Sequence, residues 1–227
     1  MELDGLFTNS ALICVDIQES TRPVPIAEEQ LPPDWRAMGF TVADVNAGSA
    51  FSWDVCLPNA VRVVETCREH GVPRVFLHWG YQFEDGMDLD PVVRATMIRN
   101  HGADASHWSG YIGQKGSQPA ACLGIRPGEY VLAKTAQDAF ISSNIGFVLA
   151  NLGSRTLVFI GGHTEACLGK TATSAKRHGF RTVCIEDATS NARESTRLKG
   201  IAESQFDAIV TTEEFVASVQ QHFLKKQ

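Results

Sequence analysis

No stretch of the 227-residue chain reaches the roughly 18–20 consecutive apolar residues of a membrane span, so a transmembrane helix is not expected. The opening MELDGLFTNS lacks the cationic and apolar regions of a secretory leader. Basic runs are missing as well. Twenty Lys and Arg against 26 Asp and Glu leave a net charge of −6 with no cationic stripe, which argues against nucleic acid as a partner. The six cysteines include no CxxC pair, so neither a disulfide framework nor a zinc-finger spacing is written in the chain. Cys14 and Cys184 lie in apolar runs, and Cys56 and Cys67 also read as structural, as small buried hydrophobes do. No repeat, linker, low-complexity tract or GxGxxG fingerprint occurs. These absences leave a soluble, cytoplasmic chain forming one domain over residues 1–227, long enough to bury a core.

What is present is alternation. Short apolar runs at residues 11–17, 74–79, 130–134, 156–161, 182–187 and 208–211 are separated by helix-length segments, among them 59–70, 141–151, 165–178 and 193–204. Most of the runs are continuous, as in strands covered on both faces of a parallel sheet. Strand–helix alternation predicts right-handed βαβ units: an α/β fold, a three-layer α/β/α sandwich with a mainly parallel, Rossmann-like six-stranded sheet. Residues 19–57 and 80–128 break the alternation and read as long irregular insertions at the carboxyl edge of the sheet, where open α/β sheets bind ligands.

Three reactive residues end strands at that edge: Asp16 the first, Lys134 the third, and Cys167 just after the fourth. A carboxylate as base, an ammonium to favour thiolate and a sulfur nucleophile make a plausible covalent-catalysis set if neighbouring strand ends bring them together. Gly161-Gly162 allows a sharp turn out of the strand. Thr164 reads as the N-cap of the next helix, which puts Cys167 in its first turn, where free amides and the helix dipole lower a thiol pKa. The slim run Thr171, Ala172, Ser174, Ala175 suits close packing on a sheet. The same turn, residues 161–171, ends in Gly169-Lys170-Thr171 and imitates a phosphate-binding loop, with 183–187 as a magnesium-binding strand. The spacing does not match, because Thr164 stands where G-x-x-x-x-G-K-[ST] needs its first glycine. A nucleotide-binding protein is therefore the runner-up, and a catalytically idle binding module the third reading.

With these residues the sequence resembles the isochorismatase-like cysteine hydrolases, a family that includes nicotinamidases, N-carbamoylsarcosine amidohydrolases, and ureidoacrylate and biuret hydrolases. The matching blocks are Val15-Asp16-Ile17-Gln18, then Lys134-Thr135-Ala136-Gln137-Asp138-Ala139-Phe140, then Gly161-Gly162-His163-Thr164-Glu165-Ala166-Cys167, with Gly179-Phe180 and residues 183–188 also fitting. The resemblance implies an Asp16–Lys134–Cys167 triad, a cis peptide between Gly162 and His163, and an oxyanion hole from the amides of His163 and Cys167. It implies cleavage of an amide or ureido C–N bond in a small molecule through a thioester, and an assembly of two or more copies. Vinyl ether hydrolysis of the isochorismatase type is the alternative within the family, and a cysteine nucleophile suits acyl chemistry better. His163 and Asp138 depart from the residues relatives usually carry there.

Nicotinamidases of the family hold a metal with an Asp-x-His-x-x-His stretch, and His78-Trp79-Gly80-Tyr81-Gln82-Phe83 lacks that spacing. His101 and His107 lie in a loop without a clear carboxylate partner, so neither a metal nor any other cofactor is expected. Gln18, Trp79, Trp108 and Phe140 are candidates for the substrate pocket by location. Arg94, Arg99 and Lys115 are candidates for binding a substrate carboxylate.

Overall fold

The computed structural model describes residues 9–21 and 24–224. Residues 1–8, on which the expectation of a chain without a leader rests, lie outside the described residues, as do 22–23 and 225–227. Six strands, β1 (Ser10–Val15), β2 (Arg74–Trp79), β3 (Tyr130–Lys134), β4 (Thr156–Gly162), β5 (Arg181–Ser190) and β6 (Ala208–Val210), form one sheet in the order β3-β2-β1-β4-β5-β6. Every pairing is parallel. All six expected strands are present, and two ends differ by more than one residue, each for a physical reason. The first strand stops at Val15, not residue 17, because Asp16 adopts a left-handed φ of 51° and turns the chain out of the ladder. The fifth runs on to Ser190 through a bulge, with Phe159 opposite Cys184 but Gly161 opposite Thr189. That bulge brings Ser190 into register with Gly162.

The insertion at 19–57 is largely helical rather than irregular. It holds α1 (Pro33–Ala37) and α2 (Val42–Phe51), and α2 passes through one π-helical segment, Ser52–Cys56, straight into α3 (Leu57–Glu69). Thr41 caps α2 reciprocally: its hydroxyl accepts from Asp44 N, and Asp44 Oδ2 accepts from Thr41 N at 3.0 Å. The insertion at 80–128 contains α4 (Pro91–His101), with Asp90 capping the amides of Val92 and Val93. Its own small core consists of Tyr81, Leu89, Ala105 and Trp108.

The segment expected as one helix over 141–151 is two, α5 (Ala139–Ser142) and α6 (Ile145–Asn151), because Ser143 is extended at φ −148°. Then follow α7 (Cys167–Arg177), α8 (Glu194–Glu203) and α9 (Thr212–Leu224).

Side-chain alternation along the strands divides the core into two layers. Leu12 and Cys14 of β1 pack with α3 and α9 through Val63, Val64, Phe215 and Val219. Ala11, Ile13 and Val15 pack on the other face with Ile145, Leu149, Leu168 and Ala172. The slim run of α7 is buried: Ala172 and Ala175 pack in the core layer on the sheet, while Thr171 and Ser174 turn to the 137–139 segment, Thr171 Oγ1 accepting from Ala139 N at 3.2 Å and Ser174 Oγ donating to Asp138.

The 24–57 segment is fastened over the edge of the sheet. Gly48 of α2 lies so close to the Asn191–Ala192 backbone that a Cβ there would overlap the Ala192 carbonyl. Arg193 reaches back to donate to Gly39 O and, at 3.2 Å, to Asp44 Oδ2, with its guanidinium 4.1 Å from the Phe40 ring centroid. Gly48→Ala is therefore expected to lift α2 and to lower stability by about 1–3 kcal/mol in urea unfolding, as overpacking does elsewhere. A change within about 0.5 kcal/mol, the range of neutral surface substitutions, would show that α2 can shift without cost.

Candidate active site

Strands β1 and β4 are central and adjacent, and the chain leaves them in opposite directions along the sheet, so their carboxyl ends form the switch point of the fold. Asp16 follows β1 there, and Cys167 is the first residue of α7, which follows β4. Lys134 is not on a neighbouring strand as expected, since β2 lies between β1 and β3. Its side chain bridges that gap. Lys134 is in register with Trp79 of β2, its Nζ lies 5.2 Å from the Trp79 ring centroid, and it meets Asp16 Oδ2 at 2.8 Å. Lys134 is fully buried, and its ammonium also donates to Ala136 O at 3.3 Å.

Burial alone would push the Lys134 ammonium down, but Asp16 and Cys167 beside it hold its pKa above the ordinary lysine value, so it stays charged. Burial and the Asp16 carboxylate push the Cys167 thiol up, Lys134 draws it back only in part, and the balance lies at about 12. The expectation that the helix terminus makes a low-pKa thiolate is therefore corrected: desolvation outweighs it, and the resting group is a thiol beside an Asp–Lys ion pair. Asp16 Oδ1 is buried and takes no hydrogen bond among the described residues. An orphaned carboxylate oxygen is costly, and a transferred proton would satisfy it. Alkylation of Cys167 by iodoacetamide, mapped by mass spectrometry against exposed Cys122, is expected to rise about tenfold per pH unit from pH 7 to 9, since only the thiolate reacts. A plateau below pH 8 would mean that the free site already holds a thiolate.

The turn before Cys167 is built without the expected cap. Ala166, not Thr164, is the N-cap of α7, and it offers no side-chain hydrogen bond. The Thr164 hydroxyl instead donates to Arg197 O at 3.0 Å and accepts from Asn191 Nδ2 at 3.3 Å. The Gly162–His163 peptide is cis. The His163 carbonyl accepts from the amides of both Ala166 and Leu168 at 3.1 Å. Cys167, as the first helical residue, has an N–H with no intrahelical acceptor.

The phosphate-loop reading fails at each of its parts. Lys170 is exposed and hydrogen bonded to Gln137, and Asp187, the would-be magnesium ligand, caps α9 by accepting from Thr212 N at 2.7 Å and Thr212 Oγ1 at 2.8 Å.

Asp16, Gly162, His163 and Cys167 share the wall of a cavity of about 630 Å³. Of the residues singled out for substrate, Trp79 lines it and two do not. Trp108 is buried under the second insertion, 5.9 Å from the Tyr81 ring, and Phe140 packs into the core and stacks on His178 at 4.7 Å. Gln18 reaches the cavity but its side chain is a strut, donating to Trp79 O at 3.0 Å and Ser117 O at 2.8 Å and accepting from Trp79 N at 2.8 Å. Arg94, Arg99 and Lys115 do not line it; Arg94 Nε donates to Asp85 O at 2.9 Å and Arg99 lies 3.9 Å from Asp34.

His163 is exposed on the cavity wall, whereas Asp138 is structural, accepting from Phe140 N as the cap of α5 and from Ser174 Oγ. His78, buried below the site, is kept neutral by desolvation and donates from Nδ1 to Ser117 O at 2.7 Å. His107 pairs with Asp104 at 3.1 Å, and among the described residues no group of three or more His, Cys, Asp or Glu is placed to hold a metal.

Sequence reasoning missed Trp35, Trp53, Ser190 and Asn191, which all line the cavity. The two tryptophans stood in plain view within the first insertion. Ser190 and Asn191 had no signal, because the bulge that carries them to the edge is not a pattern of the sequence.

The model of the Isochorismatase domain matches residues 10–214, most of the chain. The chain belongs to the isochorismatase family. A curated family relative, maleamate amidohydrolase of Pseudomonas putida, is 31% identical over 101 residues, a stretch spanning 42% of this chain and 46% of that protein. The fold is shared with an isochorismatase family protein of Desulfovibrio vulgaris (TM-score 0.69, 19% identity, 95% of this chain and 98% of the other). It is also shared with N-carbamoylsarcosine amidase of Thermoplasma acidophilum (TM-score 0.64, 24% identity, 91% and 98%) and a cysteine hydrolase of Pseudomonas syringae (TM-score 0.71, 13% identity, 94% and 93%). The all-parallel six-stranded sheet with helices on both faces is the family fold, and no helix among the described residues is long and apolar enough to cross a membrane.

Proposed function

We propose that this family member is a cysteine hydrolase that cleaves an amide or ureido C–N bond of a small molecule. The observation that carries the reading is the buried Lys134–Asp16 pair at 2.8 Å, its second carboxylate oxygen without a donor, on the same cavity as the thiol of Cys167.

In the proposed reaction Cys167 Sγ attacks the carbonyl carbon while its proton passes to Asp16, so the high thiol pKa is met by a base that lacks a donor. Lys134 holds the Asp16 carboxylate in place at 2.8 Å and offsets charge on sulfur during the transfer. The tetrahedral oxyanion is held by the amides of His163 and Cys167. Collapse breaks the C–N bond, and Asp16 returns its proton to the departing nitrogen. Water, deprotonated by Asp16, then attacks the thioester, releasing the acid and restoring the thiol. Water thus supplies the oxygen and both protons that the products gain.

The maleamate amidohydrolase and N-carbamoylsarcosine amidase names among the relatives support C–N cleavage over vinyl ether hydrolysis. Ammonia release across a panel of carboxamides and ureido compounds, wild type against Cys167→Ala, tests the proposal. Release that Cys167→Ala abolishes is the expected result. Release that persists in the variant would overturn it.

A further inference from the structure

We infer that the site selects uncharged amides carrying a large, flat apolar group. The inference builds on the hydrolase reading by naming the acyl group it leaves open. Three of the four tryptophans of the chain line the cavity: Trp35 from α1, Trp53 from the π-helical segment and Trp79 from the end of β2. Val45 of α2 and Leu57 of α3 extend this apolar wall. Flat indole faces favour stacked or edge-on rings over compact polar groups.

Charge points the same way. Among the described residues no Lys or Arg lines the cavity. Lys134, whose ammonium lies beside the cavity, is already held by Asp16 at 2.8 Å. Arg193, next in sequence to the lining residue Ala192, is engaged by Gly39, Asp44 and the ring of Phe40. A substrate carboxylate entering here would lose its water, meet no Lys or Arg among the described lining residues and sit near the carboxylate of Asp16, an unfavourable transfer. A neutral amide brings no charge to desolvate and none to repel Asp16. The cavity, at about 630 Å³, is of the size that encloses a drug-sized ligand, and a four-carbon amide acid would leave most of it to water.

The test is calorimetric binding to the full-length Cys167→Ala variant, with ammonia release by the wild type measured in parallel. The probes are naphthalene carboxamide, its carboxylate-bearing analogue, propionamide and maleamate. Naphthalene carboxamide is expected to bind at least about tenfold more tightly than its carboxylate analogue and than maleamate. Adding Trp53→Ala is expected to weaken naphthalene carboxamide about tenfold while changing propionamide less than about twofold. Equal or tighter binding of the anions would overturn the inference, as would a Trp53→Ala loss shared equally by both neutral amides. Arg22, outside the described residues, lies in sequence between the lining residues Ser20 and Val24. Arg22→Ala is expected to leave the neutral-to-anion ratio unchanged, and a preference for the anion that vanishes in this variant would identify the counter-charge the inference denies. Absence of ammonia with the binding preference intact would instead overturn the hydrolase reading alone.

Discussion

Cys167→Ala is expected to reduce turnover of any amide the wild type hydrolyses by about 10⁵-fold, because losing the nucleophile removes the covalent route and leaves only binding and oxyanion stabilisation. The same substitution should cost little in stability. Cys167 is half-buried on the cavity wall, and alanine is a good residue for the first turn of α7. Removing the thiol also removes a group that burial holds protonated, so no charge is left unpaired. Kinetics and thermal unfolding of one protein preparation therefore separate the two roles a cysteine can have here. A variant that loses activity only in proportion to a large fall in Tm would assign Cys167 to packing. Full activity in a folded variant would remove it from the reaction altogether.

Lys134→Met is expected to have the largest effect on stability. Lys134 is fully buried, and Asp16 beside it is largely so. Replacing the ammonium by a thioether strands the carboxylate without its partner, and breaking a buried pair from one side costs about 3–5 kcal/mol. The carboxylate that takes the Cys167 proton would then no longer be held in place by its partner, so turnover should fall by about 10²–10⁴-fold as for the loss of a general base. The double substitution Asp16→Asn/Lys134→Met isolates the cause. It replaces the ion pair by neutral groups of similar volume and should recover most of the lost stability while activity stays absent. Continued instability of the double variant would mean that the pair matters for packing rather than charge.

The sequence carried the fold because its signals are local. Continuous apolar runs such as residues 74–79 and 130–134 coincide with β2 and β3 to the residue, and both buried layers follow from period-two alternation. Asp16, Lys134 and Cys167 were found because each stands where a strand ends and each carries chemistry in its side chain. What escaped were relations between distant segments. Nothing local says that the Thr164 hydroxyl would turn to Arg197 rather than cap α7, or that Phe140 would stack on His178. The proton affinity of the thiol was read with the wrong sign for the same reason. A helix terminus is visible in sequence, whereas the degree of burial that outweighs it depends on every element packed around the site. The insertions read as irregular because they break the strand–helix alternation, yet the Thr41-Val42-Ala43-Asp44 start of α2 is a legible capping pattern within one of them.

The run from α2 through the π-helical segment into α3 has a mechanical consequence. Trp53 sits in that segment, between a helix fastened to the Asn191–Ala192 loop and one whose Val63 and Val64 are anchored in the main core. An indole carried on such a rod cannot swing aside like one on a flap. Trp53 is thus a fixed gauge of what the pocket admits: a ligand must match the indole where it stands.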